Sequence, residues 1–306
     1  MSYTTNIKNE IINNYYTLEE NMAELSAILN IEAEIGKKDI KVYTENIGVS
    51  RRIYTLIKET YAINPIMTKS KINRLGKKYL IEILINEKKD FILKDLSITD
   101  ENGKRLHSPK NYLIDTEEEK KAYLRGAFMI CGSINDPKTS RYHAEFIIRN
   151  KKAANYISSL LKSLNYNSRI LKREKHYMVY IKEAESISDF IKLLNATNSL
   201  FYYEDIRIYR DHKNMTNRLN NCEQANIEKI INTSNVQLEN IKKLKEKVDF
   251  DLLDDRIKDI CIYKEKYPES SMQELAEIIS SETGKPITKS GINHRFRKIS
   301  EIVNKD

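Results

Sequence analysis

The chain has 306 residues, more than one compact core usually serves, so two domains are expected, one of them internally duplicated. Its composition, 40% hydrophobic and 31% charged with only 8 Gly and 5 Pro, excludes an extended disordered chain and points to abundant helix. A formal charge of +8 and a pI near 9.0 favour a polyanionic partner, because Lys and Arg neutralise phosphates and release condensed counterions.

In chain order, a helix is expected over roughly 17–33, where Met22, Leu25, Ile28 and Leu29 recur at helical spacing. A strand follows at DIKVYTE, with Ile40, Val42 and Thr44 alternating against Lys41, Tyr43 and Glu45. A helix at about 47–62, a broken strand near 65–73 and a clearer strand at 77–86 complete a first αβαββ unit. The stretch KDLSITDENGKRLHSPKNYLIDTEEEKK is a polar connection, rich in turn residues, that reads as a loop or β-ribbon. The same order then returns: helix 117–131, strand 140–149, helix 150–164, strands 167–174 and 176–183, helix 186–195. Two copies of one unit, over about 17–98 and 117–205, are more economical than unrelated elements, and Leu25 and Leu124 hold the equivalent helix position.

Strand 140–149 splits by alternation into Tyr142, Ala144, Phe146 and Ile148 on one side and Arg141, His143, Glu145 and Arg149 on the other. With Arg169, Lys172, Arg173 and Lys182 in the neighbouring strands, the outer face offers phosphate-binding chemistry or simply a solvated surface.

Residues 217–246 carry Leu219, Cys222, Ile227, Ile230, Ile231, Leu238, Ile241 and Leu244 among many polar residues. They read as one or two linker helices with a partly buried side, on which Cys222 is a buried small residue. A helix over roughly 250–267 presents Leu252, Ile257, Ile260 and Tyr263 and ends at Pro268. Ser270 or Ser271 caps the next helix with Glu274 as capping-box partner. After the breakers Gly284 and Pro286, Thr288 or Ser290 caps a last helix whose Ile292, Phe296 and Ile299 face the core.

That arrangement is a helix-turn-helix over about 270–303, which leaves Lys289, Asn293, His294, Arg295, Arg297 and Lys298 outside. Asn293 suits adenine, Arg295 or Arg297 guanine or phosphate, and Thr288, Lys289 and Ser290 the backbone near the helix N-terminus.

Several classes are disfavoured. Cys131, Cys222 and Cys261 are far apart and form no CxxC pair, so neither a disulfide framework nor a zinc knuckle is suggested, and a reducing cytoplasm fits. The five histidines have no metal-ligand spacing, and glycines are too sparse for GxGxxG or a Walker loop; no metal or cofactor is expected. The opening MSYTTNIKNEIINNYY lacks a secretory pattern, and no long apolar run suggests a membrane span.

The stretch LRGAFMICG, Leu124 to Gly132, with the small residues Gly126 and Ala127, resembles a motif helix of single-chain LAGLIDADG homing endonucleases; residues 25–33 are the weaker counterpart. In that family the two motif helices pack closely at the interface of the halves, and each delivers an acid to a metal ion. Here the matching positions hold Glu32 and Cys131, and a neutral thiol is a poor ligand for magnesium, so the two-sided site is broken. Ala33 also replaces the helix-terminating glycine that Gly132 supplies in the second copy.

A longer match covers almost the whole chain. YLRGAFMICGSINDPKTSRYHAEF, NRLNNCEQANIEKIINTSNVQLENIKKL and ITKSGINHRFRKI resemble the WhiA family of Gram-positive bacteria. That resemblance implies an α+β, pseudo-symmetric LAGLIDADG-like domain with antiparallel saddle sheets (1–210), a helical linker (211–248) and an all-α helix-turn-helix domain (249–306). It implies a transcription-factor role in sporulating actinomycetes and a part in cell division and chromosome segregation in Firmicutes. The expected protein is a cytoplasmic, nucleoid-associated, non-catalytic regulator that binds double-stranded DNA and pairs with another regulator or division protein. The alternatives are a metal-dependent endonuclease and a division adaptor that does not act through transcription. SSETGKPI is longer than the usual connection in that family, which puts the turn geometry in question.

Overall fold

The computed structural model describes residues 2–71, 79–139 and 141–304. Two compact units, Met1–Arg210 and Asp211–Asp306, make up the chain.

In the first unit α1 (Tyr3–Ile12) is capped by the Ser2 hydroxyl and buries Tyr3, Ile7 and Ile11, one face at i, i+4 spacing. Periodicity had assigned no helix there. Then α2 (Leu18–Glu32) starts from a capping box in which Thr17 and Glu20 satisfy each other's backbone N–H. Strands β1 (Glu34–Ile35) and β2 (Ile40–Thr44) lead to α3 (Ile47–Tyr61), whose first amides are held by the Asn46 side chain. Next come β3 (Ile66–Lys71), β4 (Tyr79–Ile85) and the short α4 (Lys89–Asp95). The ends of the two expected strands at 72–73 and 77–78 lie outside the described residues.

The polar connection forms a single bridge, Thr99 to Arg105, and one tight helical turn, Asn111–Leu113, rather than a β-ribbon. A second capping box, Thr116 with Glu119, starts α5 (Glu117–Cys131). It is followed by β5 (Gly132–Ile134), β6 (Ala144–Ile148), α6 (Lys151–Ser163), β7 (Arg169–Arg173), β8 (His176–Ile181) and α7 (Ala184–Leu193).

Both sheets are antiparallel and have the same strand order, β1-β2-β4-β3 and β5-β6-β8-β7, which is the structural signature of the duplication. Each repeat holds one more strand than the expected αβαββ unit, because β1 and β5 span two and three residues, too few to show alternation. The fold class is α+β, with a duplicated LAGLIDADG-like domain and an all-α C-terminal unit. One apolar cluster fills the first unit, drawing Val42 and Ile83 from one sheet and Phe146 and Val179 from the other around α2 and α5.

Helix α8 (Thr197–Lys247) runs for 51 residues, where one or two shorter helices were expected. Its buried stripe, Ser234, Gln237, Ile241 and Leu244, keeps strict helical spacing. Leu219, Ile227 and Ile231 are exposed, and so is Cys222, which corrects its reading as a buried residue: residues 211–229 are exposed throughout.

In the second unit a tight turn, Phe250–Leu252, precedes α9 (Asp255–Lys266), α10 (Met272–Thr283) and α11 (Lys289–Val303). Leu252 is 81% exposed rather than part of a helix face, because Asp254 caps α9 two residues further on. Ile257, Ile260, Cys261, Leu275, Ile279, Ile292, Phe296 and Ile299 close the core with Ile241 and Leu244.

Candidate nucleic-acid interface

Helix α10 begins with the Ser271–Glu274 capping box and ends at Gly284, whose φ of 67° is the left-handed conformation that glycine adopts without strain. The Ser280 hydroxyl donates to Ala276 O and accepts from Ile287 N at 2.9 Å, which ties the connection back onto α10. Half of SSETGKPI, residues 280–283, is thus the last turn of α10, and only residues 284–288 connect it to α11, so the expected long connection is not found. Thr288 then caps α11 by accepting from Gly291 N, so its hydroxyl is committed to the helix.

Burying Ile292, Phe296, Ile299 and Val303 fixes the rotation of α11. Lys289, Asn293 and Arg297 then share one line at i, i+4 spacing, and Ser290, His294 and Lys298 the next. All are exposed except Asn293, which is half-buried. Arg295 stands apart: half-buried, it donates to Arg256 O on α9 at 3.2 Å and so braces the two helices.

The sheet residues are less unified than alternation suggests. The expected strand over 140–149 is confined to Ala144–Ile148, because a turn at Asp136 to Thr139, closed by Thr139 N donating to Asp136 O, interrupts it; Ser140 lies outside the described residues. Arg141 and His143 therefore precede the strand. His143 sits 3.1 Å from Glu145 Oε2 and stacks on Tyr180. The register pairs Arg169 with Tyr180 and Tyr180 with Glu145, so Arg169 and Arg173 share the face of Glu145 and Ile147. Lys172, paired with Tyr177, belongs to the opposite face and does not join them. In the first sheet the corresponding face carries Lys41, Tyr43, Glu82, Thr68 and Ser70, so among the described residues the basic surface is not duplicated.

The motif helices meet backbone to backbone. A Cβ on Gly126 would lie 2.2 Å from Glu24 O, which leaves room only for glycine. Gly132 caps α5, and a Cβ there would lie 2.7 Å from Phe128 Cα; Ala33 caps α2 at φ −68°, a conformation open to any residue, so its departure from glycine costs nothing.

At the helix ends Glu32 is half-buried and Arg149 Nη2 lies 3.7 Å from its Oε1; burial raises its carboxyl above the ordinary value, against the pull of that guanidinium. The Cys131 thiol donates to Ala127 O, and burial pushes its pKa up to about 12, which keeps it neutral. Lys8 of α1, 5.7 Å from the centre of the Phe128 ring, is electrostatically coupled to Cys131, and burial lowers its pKa to about 8. One arginine-paired carboxylate beside a neutral thiol and a lysine does not fit a divalent cation. Among the described residues no three His, Cys, Asp or Glu side chains cluster as metal ligands.

Sequence reasoning missed a buried charge network in α2 and α5. Glu24, fully buried, accepts from Arg52 Nε at 2.8 Å and Arg125 Nε at 3.0 Å, and the Arg125 guanidinium lies 3.5 Å from the Tyr16 ring centre. The available signal was an acid and an arginine set inside apolar helix stripes. Arg105 was missed as well; it donates to Ala33 O, Leu29 O and Asn30 O at the end of α2.

Fold and helix ends together define a LAGLIDADG-like domain that has lost its paired acids, in a chain that also carries a helix-turn-helix unit. Family models match in the same order: the WhiA N-terminal LAGLIDADG-like domain at residues 18–99, the WhiA LAGLIDADG-like domain at 120–213 and the WhiA C-terminal HTH domain at 216–303. The chain belongs to the WhiA family. A relative from Exiguobacterium sibiricum, named probable cell division protein WhiA, is 37% identical over 100% of this chain and 96% of its own. One of the same name from Bacillus cereus is 38% identical over 100% and 97%. Among solved structures, full-length WhiA from Thermatoga maritima matches with a TM-score of 0.57 at 21% identity, covering 99% of this chain and 98% of that one, which shows the shared fold. No helix among the described residues is long and apolar enough to cross a membrane.

Proposed function

We propose that the protein is a non-catalytic DNA-binding regulator of transcription, acting in cell division, chromosome segregation or sporulation, and that α11 reads a short duplex site. The observation that carries this reading is the line Lys289, Asn293 and Arg297, held outward by the buried stripe on the other side of α11. Asn293 supplies the adenine-reading amide, Arg297 a guanine or phosphate contact, and Lys289, Ser290, His294 and Lys298 the flanking backbone contacts. Arg295 supports α11 from behind, and Thr288 presents the helix N-terminus. The Arg169, Arg173, Arg141 and Arg149 surface adds nonspecific phosphate contacts or a seat for a partner protein, with His143 at its margin and Lys172 left out of it on the opposite face. Relatives named probable cell division protein support the cellular setting.

Chromatin immunoprecipitation with sequencing in the native host tests the reading. Discrete peaks are expected, and Asn293→Ala with Arg297→Ala should remove them while the fold persists. Peaks unchanged in that variant would overturn the assignment of α11; no peaks at all would favour a division adaptor. The endonuclease alternative predicts nicking of supercoiled plasmid with magnesium or manganese that disappears in Glu32→Ala.

A further inference from the structure

A cavity of about 440 Å³ lies within the second unit, between α8, the first turn of α10 and the start of α11. That volume falls in the range of small-molecule sites, about 300–1,000 Å³. Lys229, Lys264 and Lys289 line it, and no Asp or Glu does; Ile230 and Met272 add apolar wall.

Three polar groups at its surface are left incomplete. Gln237 is only 7% exposed, and its side-chain amide makes no hydrogen bond among the described residues. Lys264 is 2% exposed; its ammonium donates to Pro268 O and Ser270 O, and its third proton finds no hydrogen-bond acceptor among the described residues. The nearby Glu274 carboxylate attracts Lys264 but is engaged in the helix cap, where it accepts from Ser271 N at 2.7 Å. At the N-terminus of α10 the capping box satisfies the amides of Ser271 and Glu274, which leaves those of Met272 and Gln273 without acceptors among the described residues.

A buried cation whose neighbouring acid is already engaged in a helix cap, beside free helix amides, attracts a further anion. A glutamine amide offers a donor and an acceptor side by side, the pattern that matches the N6 and N7 edge of adenine. Duplex DNA presents its phosphates on a convex surface, whereas the Gln237 amide, on a residue only 7% exposed, opens onto the cavity and is reached by a small molecule. We propose that this pocket binds an adenine nucleotide, its phosphate held by Lys229, Lys289 and the α10 N-terminus above Lys264, and its base by Gln237. Such a site needs no glycine-rich loop, which is why motif spacing gives no sign of it.

Isothermal titration of the full chain with AMP at low ionic strength tests this. AMP should bind saturably at one site, with inorganic phosphate and adenosine each weaker by about tenfold or more. Gln237→Leu should weaken AMP by about tenfold, and the surface substitution Lys229→Gln, harmless to folding, by about fivefold. Absence of AMP binding, or equal affinity in wild type and both variants, overturns the proposal. If AMP does not bind and Lys229→Gln instead weakens duplex DNA, the cavity is a docking point for the DNA backbone, which also overturns it.

Discussion

Helices α2 and α5 hold equivalent places in the two repeats, start from the same kind of capping box and end one residue before a cap of extended geometry. Their chemistry differs. Glu24 and Glu32 of α2 correspond, at a constant offset, to Tyr123 and Cys131 of α5. Tyr123 is buried edge-on against Tyr156, while Glu24 is buried between two arginines. The duplicated fold demands close helix packing and correct ends; it does not demand acids on both sides. One half holds a buried carboxylate, Glu24, as a structural anion, and the other fills the same position with the aromatic contact of Tyr123.

The largest effect should come from the buried anion. Glu24→Ala leaves Arg52 and Arg125 without their shared partner and should destabilise the protein by about 3–5 kcal/mol in urea unfolding. Glu32→Ala, which removes a half-exposed carboxylate with one distant partner, should stay within about 1 kcal/mol. Equal losses at the two sites would break the distinction between the buried and the half-buried acid. Gly126→Ala probes the shared packing: its Cβ must push Glu24 O back, at about 1–3 kcal/mol in the same measurement. An unchanged midpoint would mean that the helices do not meet there.

The smallest effect is a pH dependence from the α5 end. The folded pKa of Lys8, about 8, lies below its unfolded value of 10.5, so the unfolded chain binds more protons between these values and stability rises with pH through that window. Cys131, raised from 9.0 to about 12, acts with the opposite sign above pH 9. Between pH 8 and 9 wild type should therefore gain about 1 kcal/mol relative to Lys8→Met, read from parallel urea titrations. Parallel profiles would show that Lys8 is not buried as described.

Much of this was legible in the sequence because it rests on local pattern. The apolar stripes of α2, α5 and α11, the Ser271 capping box and the repeated strand pairs all carry period or cap signals. The remainder depends on chain-distant contact. Arg125 finds Glu24 across 101 residues, which no local pattern encodes. The separation of Lys172 from Arg169 and Arg173 needs the register of β7 on β8, since every residue of β7 is exposed and burial does not mark its faces. Cys222 sits among helical apolar positions that are exposed, whereas α1, whose Tyr3, Ile7 and Ile11 keep helical spacing, did carry a local signal.

Arg105 belongs to the stretch that joins the repeats, and its three hydrogen bonds to the end of α2 make that stretch a fixed strut. A circularly permuted chain should therefore refold poorly with new termini between Thr99 and Arg105, and well with termini at the exposed turn of Glu174 and Lys175 in the second repeat. The seam between the two halves is the less forgiving place to open the molecule.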